Sequence, residues 1–126
     1  MADMTAYLSL LGIDFDLNYV TLRTGISPNR TMHRTEPAPC STEWCVHTDT
    51  ITSFEIQDVL DSLMALVICD VDILGELASS CNAKWKIHFD IRIRDMEAPV
   101  IFFPAEFLHF CERLNAELDL DMQVVD

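Results

Sequence analysis

The chain has 126 residues, enough for one domain, and its 21 acidic against 8 basic side chains give a formal net charge of −13. That balance excludes most nucleic-acid binders, because a surface of this sign repels phosphates. Half of the residues are hydrophobic, so a folded core is within reach, and disorder, collagen-like repetition and a disulfide-only scaffold are excluded.

The first expected element is a strand over Thr5–Phe15, where Leu8 and Leu10 alternate with Tyr7, Ser9 and Leu11. A short helix follows: Asp16 caps it, Leu17 and Val20 face inward, Gly25 ends it and Pro28 prevents continuation. Residues 27–42 hold Pro28, Pro37 and Pro39 and show no periodicity, which predicts a long loop. Glu43–Asp49 reads as a second strand, with Trp44, Val46 and Thr48 on one side and Cys45, His47 and Asp49 on the other. Thr52-Ser53-Phe54-Glu55 matches a capping box, after which Ile56, Leu60, Leu63 and Val67 form one helical stripe. A further helix is expected over Asp70–Cys81, although Gly75 weakens its interior.

From Lys84 to Arg94 the alternation is strict, with Trp85, Ile87, Phe89, Ile91 and Ile93 on one face and Lys86, His88, Asp90, Arg92 and Arg94 on the other. Asp95–Ala98 then turn, Pro99–Phe103 form a short companion strand, and Pro104 opens a helix whose Phe107, Phe110, Cys111, Leu114 and Leu118 point inward. The chain ends in a strand, with Leu120, Met122 and Val124 alternating against Asp119, Asp121 and Gln123. This order lacks the repeated βαβ rhythm of a doubly wound fold, so residues 1–126 are expected to form a single α+β domain. Its sheet is mostly antiparallel with helices packed on one face, and the other face is open.

The opening strand, the Leu22–Pro28 stretch with Gly25-Ile26-Ser27-Pro28, Trp44, the proline-led helix after Phe103 and the closing Ala116-Glu117-Leu118-Asp119-Leu120-Asp121 resemble the family of small bacterial proteins known as domain of unknown function 4279. The resemblance runs over nearly the whole chain. It implies a cytosolic α+β domain and brings no particular activity.

No apolar run reaches the roughly 18–20 residues of a membrane-spanning helix, and Met1-Ala2-Asp3-Met4 lacks the basic start of a secretory signal. A cytoplasmic protein without membrane attachment is expected. The five cysteines are odd in number and scattered, which suits reduced thiols. Cys69, Cys81 and Cys111 read as small core residues.

His33, Cys40, Cys45 and His47 are of the types that zinc prefers, but they lack the tight knuckle spacing of structural sites, so neither a metal nor another cofactor is expected. Arg23, Arg30 and Arg34 with His33 form a basic island, since no acid lies between Asp16 and Glu36. The bland reading is that these arginines pair with the protein's own carboxylates. The sharper one is a small-anion site, binding or catalytic, built from Arg30, Arg34 and Trp44. The open sheet face is expected to be a solvated surface with cross-strand ion pairs, without the aromatics on which an RNA-binding sheet stacks bases. His109 sits on a polar helix face between Glu106 and Arg113, and no nucleophile-elbow, zincin or phosphate-loop motif is present, so an enzyme is the minority reading.

The preferred function is a small protein-binding module that masks or inhibits a basic partner protein, as immunity proteins do. Residues 49–83 hold Asp49, Glu55, Asp58, Asp61, Asp70, Asp72 and Glu76 without one Lys or Arg. The expected partner surface is accordingly Glu55, Asp58, Asp61, Asp70, Asp72 and Glu76. The open sheet face also leaves room for a self-paired homodimer.

Overall fold

A computed structural model describes residues 1–125. Ten elements follow in chain order: β1 (Ala2–Gly12), α1 (Leu17–Thr24), β2 (Arg30–Arg34), β3 (Ser41–His47), β4 (Ile51–Ser53), α2 (Gln57–Leu66), α3 (Val71–Ser80), β5 (Ala83–Ile93), α4 (Ala105–Leu114) and β6 (Glu117–Val124). The strands form one sheet in the order β2-β3-β1-β5-β6, and β4 pairs with the start of β1 beyond the end of β3. Every pairing is antiparallel except β5 with β6. That exception follows from the connection, because α4 lies between β5 and β6 and carries the chain back to the same end of the sheet.

β1 is the central strand, and its alternation sets the layering. Ala2, Met4, Ala6, Leu8 and Leu10 are fully buried beneath the helices, and the same face takes Trp44 and Val46 from β3 and Trp85, Ile87, Phe89 and Ile91 from β5. Over them lie Val20 of α1, Val59, Leu60 and Leu63 of α2, Leu74 and Leu77 of α3, and Phe107, Phe110, Cys111 and Leu114 of α4. The two indoles also orient helices: Trp44 Nε1 donates to Thr21 Oγ1 at 3.0 Å and Trp85 Nε1 donates to the Leu74 carbonyl at 2.7 Å. Both buried donors are thereby satisfied, as a low-dielectric interior requires. The result is the expected α+β domain with a mostly antiparallel sheet and helices on one face.

Helix ends follow local chemistry. Asp16 accepts from the backbone N–H groups of Asn18 and Tyr19, and Gly25 closes α1 in the left-handed region at φ +70°. Asp70 caps α3 by accepting from Asp72 N–H. Pro104 precedes α4, and Asn115 ends it at φ 53°.

Several boundaries differ from the sequence expectation. β1 begins at Ala2 rather than Thr5, because its first residues are held between β4 and β5. The expected capping box does not cap: Thr52 and Ser53 are consumed by β4, Ser53 Oγ accepts from Glu55 N–H and donates to the Asp58 carboxylate, and α2 starts only at Gln57. The expected loop 27–42 contains β2, a fully exposed edge strand that pairs with β3. It shows no hydrophobic alternation because neither of its faces is covered. Pro99–Phe103 is not a strand; a single bridge joins Val100 to Glu55. Leu118 belongs to β6 rather than to the inner face of α4.

Candidate functional site

The six carboxylates expected to meet a partner divide by helix. On α3 they have structural tasks, since Asp70 is the cap, Asp72 is ion-paired with Arg113 of α4, and Glu76 binds Arg23 of α1 at 3.0 Å. These pairs tie α3 to its two neighbours, so residues distant in sequence cancel charges that looked unrelieved in the run 49–83. Beside α2 the situation is different. Glu55, Asp58 and Asp61 have no cationic partner among the described residues; Asp58 accepts from Ser53 and Asp61 from Gln57 Nε2 at 2.8 Å.

Next to these three acids lies a group that the sequence reading did not find. The Val100 N–H donates to the Phe54 carbonyl at 2.8 Å and Ile56 N–H donates to the Val100 carbonyl at 2.9 Å, which fixes the 54–56 and 100–103 segments side by side. Phe103 is drawn inward, its ring 5.7 Å from Phe89 and 5.5 Å from Phe107. Its neighbour Phe102 is 67% exposed, Val100 64% and Phe54 60%. A groove of about 260 Å³ lies between α2 and the start of α4, lined by Leu60, Met64, Pro104 and Phe107 together with Asp61 and Glu106. The apolar run Val100-Ile101-Phe102-Phe103 was the available signal, but a companion strand at that place implies a half-buried segment.

Arg30, Arg34 and Trp44 do not converge. Trp44 is fully buried on the helix side, whereas Arg30 and Arg34 extend from β2 into solvent, and Arg30 Nη2 is held by Glu43 at 2.9 Å. That carboxylate's hydrogen bond keeps the guanidinium charged and occupied. Nor do His33, Cys40, Cys45 and His47 gather. His33 Nδ1 bonds Thr42 Oγ1, Cys45 is buried with its thiol pushed up by desolvation, and no group of three or more His, Cys, Asp or Glu side chains among the described residues is placed to hold a metal ion. None of the five cysteines is in a disulfide.

The open sheet face carries one ion pair of the expected cross-strand kind, Lys86 of β5 with Asp119 of β6 at 3.5 Å, whereas Arg92 pairs along its own strand with Asp90 at 3.6 Å and Arg94 beyond β5 binds Asp3. It is not free of aromatics, however. Tyr7 lies between His47 and His88, with ring centroids 5.3 and 5.8 Å away, and His88 Nδ1 donates to Asp119 at 3.0 Å. These four residues form one row across β3, β1, β5 and β6. The hydrogen bond from His88, helped by Lys86, holds the Asp119 carboxyl below its ordinary range. Lys86 and His88 both face Asp119 and Arg92 faces Asp90, so these basic groups of the open face already lie against internal carboxylates.

Over residues 2–125 the chain matches the family described as Domain of unknown function (DUF4279), and it belongs to that family. No curated protein and no solved structure matches it.

Proposed function

We propose that this protein is a binding module that masks a basic partner protein, in the manner of an immunity or inhibitor protein, and that the contact surface is the α2 side of the helical layer. The observation that carries this reading is that exposed Phe54 and Val100 are held beside Glu55 by the pairing of the two segments, while exposed Phe102 lies two residues before Pro104, which lines the groove that also holds Asp61 and Glu106. Binding energy at protein interfaces concentrates in a few apolar anchors ringed by polar groups, while complementary charge steers the encounter. Exposed apolar side chains flanked by unpaired carboxylates have that composition, and a partner segment with an apolar residue between Lys or Arg matches it. A small-anion site made of Arg30, Arg34 and Trp44 has no comparable geometry in its favour. A cytoplasmic setting accords with five unpaired thiols, and among the described residues no helix is long and apolar enough to cross a membrane.

The test begins with a partner captured from the host lysate and purified. Asp61→Lys with Glu106→Lys is expected to slow association and flatten its salt dependence, and Phe102→Ser to speed dissociation. Rates equal to wild type in both variants would remove this surface from consideration.

A further inference from the structure

The sheet ends in two unpartnered strands of opposite chemistry. β2 is Arg30-Thr31-Met32-His33-Arg34, and β6 is Glu117-Leu118-Asp119-Leu120-Asp121-Met122-Gln123-Val124. Each has a neighbour on one side only, β3 for β2 and β5 for β6. The outward backbone groups of both therefore face solvent, which makes both edges available for strand addition.

We propose that these edges are a matched pair, and that a second copy of this chain adds its β2 to β6 of the first in antiparallel register, continuing the sheet from one molecule into the next. Strand direction permits it. β2 and β1 both oppose β3, β5 opposes β1, and β6 runs with β5, so β2 and β6 run in opposite directions within one molecule. A copy set beside β6 with its helices on the same side of the continued sheet therefore presents β2 antiparallel to it.

Side-chain placement permits it as well. Arg30 and Arg34 lie across from Cys45 and Ser41, and Glu117 and Asp121 lie across from Lys86 and Asp90, which puts all four on the open face. Each like-charged pair is four residues apart along its strand. Antiparallel pairing sets Arg34 opposite Glu117 and Arg30 opposite Asp121, with Met32 between them opposite Asp119. Arg34, Glu117 and Asp121 have no ion-pair partner among the described residues, whereas Arg30 and Asp119 are already engaged by Glu43 and by Lys86 with His88. Opposite charges directly across a strand pair stabilise it and like charges destabilise it. On the other face of β6, Leu118, Met122 and Val124 remain exposed because no helix reaches over that edge, and an added strand flanks them.

Charged edges ordinarily keep sheets apart. Here that protection acts between like edges, because β2 repels β2 and β6 repels β6. It therefore excludes a two-fold symmetric edge dimer and leaves a head-to-tail contact, the kind that propagates or closes into a ring.

The test is a charge exchange read by sedimentation velocity over a range of protein concentrations. Wild type is expected to show a mass-average that rises with concentration, and Arg34→Glu and Glu117→Arg each to shift it back toward the monomer. The equimolar mixture of the two variants is expected to regain association, because the reversed β2 edge of one then meets the reversed β6 edge of the other. Both sites are exposed and outside internal ion pairs, so circular dichroism is expected to match wild type in each. A wild type that stays monomeric throughout overturns the proposal. So does association that persists undiminished in Arg34→Glu, which places the contact elsewhere, or a mixture that regains nothing. None of these outcomes bears on the α2 surface.

Discussion

Trp44 and Trp85 meet edge to face on either side of Leu10, their ring centroids 6.0 Å apart at 84°. Each sends its indole N–H into a different helix, Trp44 to α1 and Trp85 to α3. The pair thus joins packing of the sheet to docking of the helical layer in a single contact. Removing Trp85 by substitution to Ala is expected to cost about 3–5 kcal/mol. Trp85→Phe keeps most of the volume and loses the hydrogen bond to Leu74, with a further cost on the order of 1 kcal/mol for that bond alone. Lys86→Ala, one residue on and facing the other way, is expected to be nearly neutral in urea unfolding. Equal losses at 85 and 86 contradict the register.

Asp119 offers a test on the open face. His88 donates to it and Lys86 lies 3.5 Å away, so its carboxyl is lowered from the ordinary 3.8. A carboxylate depressed in the folded state contributes stability that is complete above its unfolded pKa and disappears as pH falls through the folded value. The affected window therefore lies below 3.8. In a carboxyl-carbon NMR titration, His88→Ala is expected to move the Asp119 midpoint up toward that value, and Lys86→Ala to move it by less. An unmoved midpoint in His88→Ala means that the hydrogen bond is not the cause.

Gly25 closes α1 at φ +70°, and a Cβ built there meets nothing within 4 Å. The cost of a side chain is therefore conformational alone, about 1–2 kcal/mol for Gly25→Ala. Gly25→Asn is expected to cost less, because Asn tolerates the left-handed region. Gly12 contrasts with it: a Cβ there lies 3.0 Å from Ala83 Cβ and 3.1 Å from Phe15 Cδ1. Thermal unfolding of Gly25→Ala, Gly25→Asn and Gly12→Ala separates strain from crowding, and equal midpoints for the two Gly25 variants refute the conformational account.

What could be read from the residues follows a physical division. Trp85 through Ile93 and Phe107 through Leu114 announced themselves because each buries one face against water on the other, and that contrast is what periodicity records. β2 was invisible for the same reason, since an edge strand wet on both faces has no contrast to record. Tyr7, His47 and His88 come from three strands, so their contact depends on register. The acidic run over 49–83 was visible, but its partial neutralisation by Arg23 and Arg113 was not, because those partners lie on other helices. Phe102 could have been found only by knowing that Phe103 takes the inward position.

Asp58 and Asp61 lie one helical turn apart, yet the structure gives them unlike roles, and reversing each charge separately exposes the difference. Asp58 is in the first turn of α2, where the positive end of the helix dipole favours an anion, and it accepts from Ser53. Asp58→Lys loses both effects and is expected to cost on the order of 1 kcal/mol. Asp61 is held only by Gln57 on its own helix and has no cation to balance it. Asp61→Lys replaces repulsion toward Asp58 by an i, i+3 attraction and gives up the Gln57 hydrogen bond, each worth about 0.2–0.5 kcal/mol, so the free protein is expected to keep its stability within that range and to gain most, relative to wild type, at low salt. Urea unfolding at low and high ionic strength checks both, because the gain at Asp61 is coulombic and shrinks as salt screens it. Under the proposed function, a carboxylate that lines this groove without an internal cation is one that a basic partner pairs in the bound state. An Asp61→Lys variant as destabilised as Asp58→Lys, at every salt concentration, assigns Asp61 to holding the fold and withdraws it from the binding surface.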